Sequence, residues 1–169
     1  MRTLVYIGHI GETLDFHLIE KLAKENLTLL FAGPVRHGAF FEILREYATV
    51  VWVGEQEHEK AFRLMGLADV GIIPFRKSEL TAYVTPNKAY EYASMKLPVV
   101  ATNVFLDHSE FDFVHFAESH DEFRSLVKTV QYRETDLTRF GWGEKAKAYE
   151  NLIQDKIRLG MVRSTPFPI

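Results

Sequence analysis

Six short runs of this chain are apolar at almost every position, and most are followed by a segment in which apolar residues recur at helical spacing. The runs are Leu4 to Ile7, Leu27 to Ala32, Val50 to Val53, Val70 to Phe75, Pro98 to Ala101 and Phe113 to Ala117. A strand with one wet face alternates apolar and polar residues, whereas a strand apolar throughout is covered on both sides. Between the runs, Phe16, Ile19 and Leu22–Ala23 predict one helix, and Phe40, Ile43, Leu44 and Tyr47 a second. Ala61 to Leu67 predicts a third helix and Pro86 to Met95 a fourth. Ser119 and Glu122 have the spacing of a capping box and predict a helix start. The expected fold is α/β: a Rossmann-like, doubly wound parallel sheet of about six strands with helices on both faces.

The 169 residues suit one domain. An amphipathic stretch from about Glu134 to Ile157 predicts a C-terminal helical segment, and Pro166 and Pro168 close a tail without periodicity. Hydrophobic residues make up 47% of the chain, which excludes disorder as its main state. The formal net charge of −3 gives no general attraction to nucleic acid. With no cysteine, disulfides, thiol catalysis and thiolate metal sites are excluded, and a reducing, cytoplasmic setting is expected. The opening run is too short for a signal-peptide apolar region, and no run approaches the ~20 residues of a membrane span. His108, His115 and His120 lack metal-ligand spacing, so no metal is expected. Gly141-Trp142-Gly143 lacks the third glycine and preceding strand of a dinucleotide fingerprint. Phe111, Phe113, Phe116 and Phe123 read as core.

In open parallel sheets, ligands bind beyond the carboxyl ends of the strands. That directs attention to Gly8–Thr13, Gly33–Gly38, Gly54–Glu57 and Arg76–Lys88. Thr85-Pro86-Asn87-Lys88-Ala89-Tyr90-Glu91 is the most informative stretch. Thr85 suits a helix N-cap, and Pro86 the first helical position. Lys88 then falls in the first turn, where a cation is disfavoured by ~0.3–1 kcal/mol unless an anion is bound. Glu91 lies on the same helix face, placed to accept hydrogen bonds from sugar hydroxyls. One helix end would thus offer amides and a cation for phosphate and a carboxylate for ribose. The alternative is a capped surface helix with a Lys88–Glu91 pair.

The order of motifs resembles the C-terminal, donor-binding domain of GT-B glycosyltransferases of the family 4 type. The matching pieces are Tyr6-Ile7-Gly8, Phe31-Ala32-Gly33-Pro34, Val51-Trp52-Val53-Gly54 and Ala68 to Phe75. The strongest is Pro86-Asn87-Lys88-Ala89-Tyr90-Glu91-Tyr92-Ala93 leading to Leu97-Pro98-Val99-Val100-Ala101-Thr102. The resemblance runs from about residue 3 to residue 157. It implies that residues 1–169 are one nucleotide-sugar-binding domain, the C-terminal half of a GT-B enzyme, with 134–169 a helical segment and tail. Trp142 and Tyr149 would lie in the part that packs back across the two domains.

The resemblance implies that Glu91 binds the nucleotide ribose, that the turn Val84-Thr85-Pro86-Asn87 holds the diphosphate through amides, and that Lys88 contacts phosphate. Gly8, His9 and Gly33 would line the cleft, and the loop at Gly54-Glu55-Gln56 would lie beside the base. Two positions depart from the family pattern. Tyr83 stands where many members carry a further Glu, and His9-Ile10-Gly11-Glu12 stands where many carry an Arg and a Lys. Arg36, Arg76 and Lys77 are candidate replacements for those cations, and each also reads as an ordinary surface residue.

The function implied is binding of a nucleotide-diphospho-sugar for hexosyl transfer to an acceptor. The acceptor would be held by an N-terminal domain, in cis or as a separate chain, which could also bring membrane association. The catalytic residues are not assigned, no cofactor or metal is expected, and the chain alone is expected to be inactive. A sugar-nucleotide 2-epimerase fragment of GT-B architecture is one rival. A non-enzymatic, flavodoxin-like binding module is another.

Overall fold

A computed structural model describes residues 1–141. Residues 1–135 form one compact unit, and residue 136 begins a second. The first unit holds six strands: β1 (Arg2–Ile7), β2 (Leu27–Ala32), β3 (Val50–Trp52), β4 (Val70–Ile73), β5 (Val99–Thr102) and β6 (Val114–Ala117). They form one sheet in the order β3-β2-β1-β4-β5-β6, with every pairing parallel. The helices are α1 (Phe16–Ala23), α2 (Gly38–Glu46), α3 (His58–Met65), α4 (Glu79–Ala82), α5 (Lys88–Ser94) and α6 (His120–Thr129). Strand order runs outward from β1 in one direction and from β4 in the other. Right-handed crossovers therefore put α1 and α2 on one face and α5 on the opposite face. The all-apolar runs are covered as their composition requires: Leu4, Val5, Leu29, Phe31, Ile72 and Val100 are fully buried.

Local chemistry sets the helix ends. The Asp15 carboxylate caps α1 by accepting from the Leu18 amide at 2.9 Å. Ser119 caps α6 through the Glu122 amide, while the Glu122 carboxylate reaches back to the Glu118 amide at 2.8 Å. The guanidinium of Arg2 closes the other end of α6, donating to the carbonyls of Val127 and Val130 at 3.0 Å each. Glu25, just beyond α1, receives Lys128 at 2.7 Å and Arg124 of α6, so α6 lies on the face of α1.

Three local expectations are corrected. The fourth helix begins at Lys88, not Pro86, and Thr85 does not cap it. The chain is already coiled one residue earlier: Asn87 has helical dihedrals, and the Ala89 amide bonds the Pro86 carbonyl at 2.8 Å. The polar segment before it contains α4, a single turn locked by reciprocal Ser78–Thr81 hydrogen bonds. The helix expected over 134–157 is not formed in its described part, where Leu137–Phe140 is a 3-10 turn capped by Asp136. Residues 142–157, with Trp142 and Tyr149, lie outside the described residues, as do Pro166 and Pro168. Among the described residues no helix is long and apolar enough to cross a membrane.

Candidate functional site

The sheet reverses its winding between β1 and β4, and that is where a doubly wound sheet opens a crevice at its carboxyl edge. An open cleft of about 440 Å³ lies there. One wall is the end of β1, Ile7 and Gly8. A second is Gln56, His58, Ala61 and Met65, from the β3–α3 loop and α3. The third is Val84-Thr85-Pro86-Asn87-Lys88 with Glu91, the entry to α5. A smaller cleft of about 130 Å³ adjoins it, lined by Ile7, Gly8, Gly33, Glu55 and Gln56 among others.

The expected residues thus divide into three groups. Gly8, Val84, Thr85, Pro86, Asn87, Lys88 and Glu91 come together in the main cleft. Gly33 and Glu55 line the smaller one. His9 and Gly54 line neither; His9 is exposed and lays its ring over Gly11. Arg36 and Arg76 are exposed and outside both clefts, and Lys77 lines a separate depression near β5 and β6.

Lys88 is not half of a surface ion pair. Its stem runs along Gly8, and its ammonium lies 5.2 Å from the centroid of the Tyr6 ring and 5.0 Å from that of Phe75. Two aromatic faces hold a cation by ring electrostatics while removing it from water. Burial accordingly pushes the Lys88 pKa below the ordinary lysine value, and nearby Glu91 works against that shift. Neither Lys88 nor the Glu91 carboxylate makes a hydrogen bond or close ion pair with another side chain among the described residues. The amides of Thr85 and Lys88 likewise have no partner among those residues. Among the described residues, a partly desolvated cation, two amides and a carboxylate without hydrogen-bond partners therefore belong to residues lining one open cleft.

Four residues that sequence reasoning did not assign build this arrangement. Tyr6 and Phe75 form the cage, and burial pushes the Tyr6 phenol upward, so it stays neutral. Tyr92 lies on Gly71 of β4. The signal for that contact was a lone glycine inside an otherwise apolar strand, which marks a close approach. The aromatic cage had no such signal, because Tyr6 and Phe75 read as core. Among the described residues no group of three His, Cys, Asp or Glu side chains could hold a metal ion.

A family model described as glycosyl transferases group 1 matches residues 2–123. The chain belongs to that family. Within this group 1 glycosyltransferase chain, 106 residues are 36% identical to TuaH of Bacillus subtilis (strain 168), a glycosyltransferase provisionally named for teichuronic acid biosynthesis. That match covers 60% of the chain and 26% of TuaH. The fold is shared with AviGT4, a glycosyltransferase involved in avilamycin A biosynthesis, at a TM-score of 0.55 and 21% identity, over 78% of this chain and 43% of that one. It is also shared with HepE of Anabaena, solved in complex with UDP and glucose, at a TM-score of 0.53 and 14% identity. The HepE match covers 74% of this chain and 37% of that one. The matched part of the chain therefore spans less than half the length of each of these relatives. Its fold is that of a GT-B C-terminal domain, as the order of motifs led us to expect.

Proposed function

We propose that this domain binds the donor of a glycosyl transfer, a nucleotide-diphospho-sugar, in the cleft between Gly8 and α5. The observation that carries the proposal is Lys88: a caged cation with no carboxylate bonded to it among the described residues, opening onto the same cleft as Glu91, whose carboxylate likewise has no side-chain partner among them. The diphosphate supplies the missing anion. The ribose hydroxyls supply donors to Glu91. Gln56 and His58 then stand beside the base. HepE, of the same fold, was solved with UDP and glucose, which agrees with this assignment.

In the reaction, the bond from the anomeric carbon to the diphosphate oxygen breaks and negative charge grows on the departing diphosphate. Lys88 and the spare amides of Thr85 and Lys88 offset that charge without a bound metal. The acceptor is held by a further domain, as the short span of the chain against its relatives suggests. Hexosyl transfer to a glycan acceptor is the reaction class we assign.

Two outcomes test this reading. Glu91→Ala removes the ribose acceptor, so it weakens nucleosides and nucleoside diphosphates alike. A charge-assisted hydrogen bond contributes ~1.5–3 kcal/mol, or roughly 10- to 150-fold in affinity. Equal affinities in wild type and variant contradict the ribose assignment. The purified 169-residue chain, given UDP-glucose and simple sugar acceptors, releases no glycoside, because both substrates must be held in reacting geometry. Sustained transfer by this chain alone contradicts the need for a second domain.

A further inference from the structure

Alternate amides of a strand point to the same neighbour. In β1 the Gly8 amide donates to Ala32 of β2 at 2.9 Å, whereas the Thr3 amide points the other way and meets the Asp69 carboxylate at 2.7 Å. Ile7 is in phase with Thr3, so its amide faces β4. The β1–β4 ladder stops short of it, registering Leu4 with Val70 and Val5 with Gly71. In place of a strand carbonyl, the Ile7 amide donates to the hydroxyl of Tyr92 at 3.0 Å. The Tyr92 ring reaches that point by crossing Gly71, where a Cβ would stand 2.4 Å from the ring. Tyr92 is fully buried, and burial keeps its phenol neutral. Lys88 sits one helical turn before Tyr92 on the same face of α5.

We infer that Tyr92 is a positioning residue: by lying across Gly71 of β4 and holding the Ile7 amide at the end of β1, it fixes the Gly8 wall opposite Lys88 and so sets the width of the phosphate end of the cleft. This rests on the donor-site reading. The hydroxyl touches no ligand. It acts through Gly8 and Lys88, and its loss lets the end of β1 move relative to α5.

The test is a double-mutant cycle on Tyr92→Phe and Lys88→Met. UDP, GDP and ADP are titrated calorimetrically into the wild type, and the tightest is carried through all four proteins with its parent nucleoside. Tyr92→Phe weakens the diphosphate roughly tenfold and leaves the nucleoside nearly unchanged. In the Lys88→Met background the same change has less than about a twofold effect, because the group it positions is gone. Additive losses, or equal losses for diphosphate and nucleoside, overturn the inference and leave the donor reading intact. Failure of the wild type to bind any of the three overturns the donor reading, and this inference with it. Should Tyr92→Phe fail to fold, hydrogen exchange in the wild type decides. Bound nucleotide slows the Ile7 amide more than the Val114 amide at the far strand, and equal slowing at both overturns the inference.

Discussion

Gly33→Ala is expected to remove about 2 to 6 kcal/mol of folding stability, enough to leave a domain of typical stability largely unfolded near its working temperature. Two separate costs meet at this residue. Its φ of 136° lies where side chains are strained. A Cβ would also stand 2.0 Å from the Gly8 carbonyl oxygen. The second cost is the harder to relieve, since the obstacle is backbone and no rotamer change moves it. The two loops are further tied by hydrogen bonds from the Gly8 amide to Ala32 at 2.9 Å and from the Ile10 amide to Pro34 at 2.9 Å, and the Gly33 amide bonds Gly54 in the loop after β3 at 2.8 Å. Gly38→Ala is the matched control. A Cβ there meets nothing within 4 Å, and the residue opens α2. Alanine should therefore hold or raise stability, by about 0.4–1 kcal/mol. Urea unfolding of both variants checks the pair. A Gly33→Ala loss below about 1 kcal/mol would show that the β1 and β2 loops do not approach each other as described.

The sheet was legible because its strands are buried on both faces, so each appears in the sequence as an unbroken apolar run. The edges were less so. Val53, Pro74 and Phe75 belong to apolar runs but lie past the ends of β3 and β4. α4 was missed because four residues hold barely one turn, too little for a period to show. Thr85 looked like a cap because cap chemistry is local, whereas the start of α5 is set by the coil that begins at Pro86.

The site was legible in part for the same reason. Lys88 and Glu91 share a helix, so their common face follows from spacing alone. The partners of Lys88 come from β1 and from the loop after β4, which only the strand order brings together. The sequence therefore offered both a phosphate cation and a surface pair for Lys88, and the cage of Tyr6 and Phe75 removed the second. The Gly8–Gly33 contact likewise needs β1 and β2 to be neighbours before either glycine explains the other.

Lys88→Met is expected to have a large effect on diphosphate binding and little on folding. The methionine stem keeps the contacts along Gly8, Tyr6 and Phe75 while removing a charge that burial disfavours, so thermal stability holds or rises. Loss of the phosphate cation costs ~1.5–3 kcal/mol, or roughly 10- to 150-fold in nucleoside diphosphate affinity. The parent nucleoside, which lacks the phosphates, is nearly unaffected. The effect also depends on pH. The anion pairs only with charged Lys88, whose pKa in the free protein is held below the usual lysine value. Diphosphate affinity in the wild type therefore falls as pH rises through that depressed value, and the Lys88 contribution is present below it while the diphosphate stays fully ionised. In Lys88→Met this decline is absent.

The measurement that bears most directly on the donor site is calorimetric titration of UDP, GDP and ADP into wild type, Lys88→Met and Glu91→Ala. A donor site at the α5 cleft predicts that the wild type binds at least one of the three, that Lys88→Met weakens the diphosphate but not its nucleoside, and that Glu91→Ala weakens both. Binding by the wild type that neither substitution changes would contradict it.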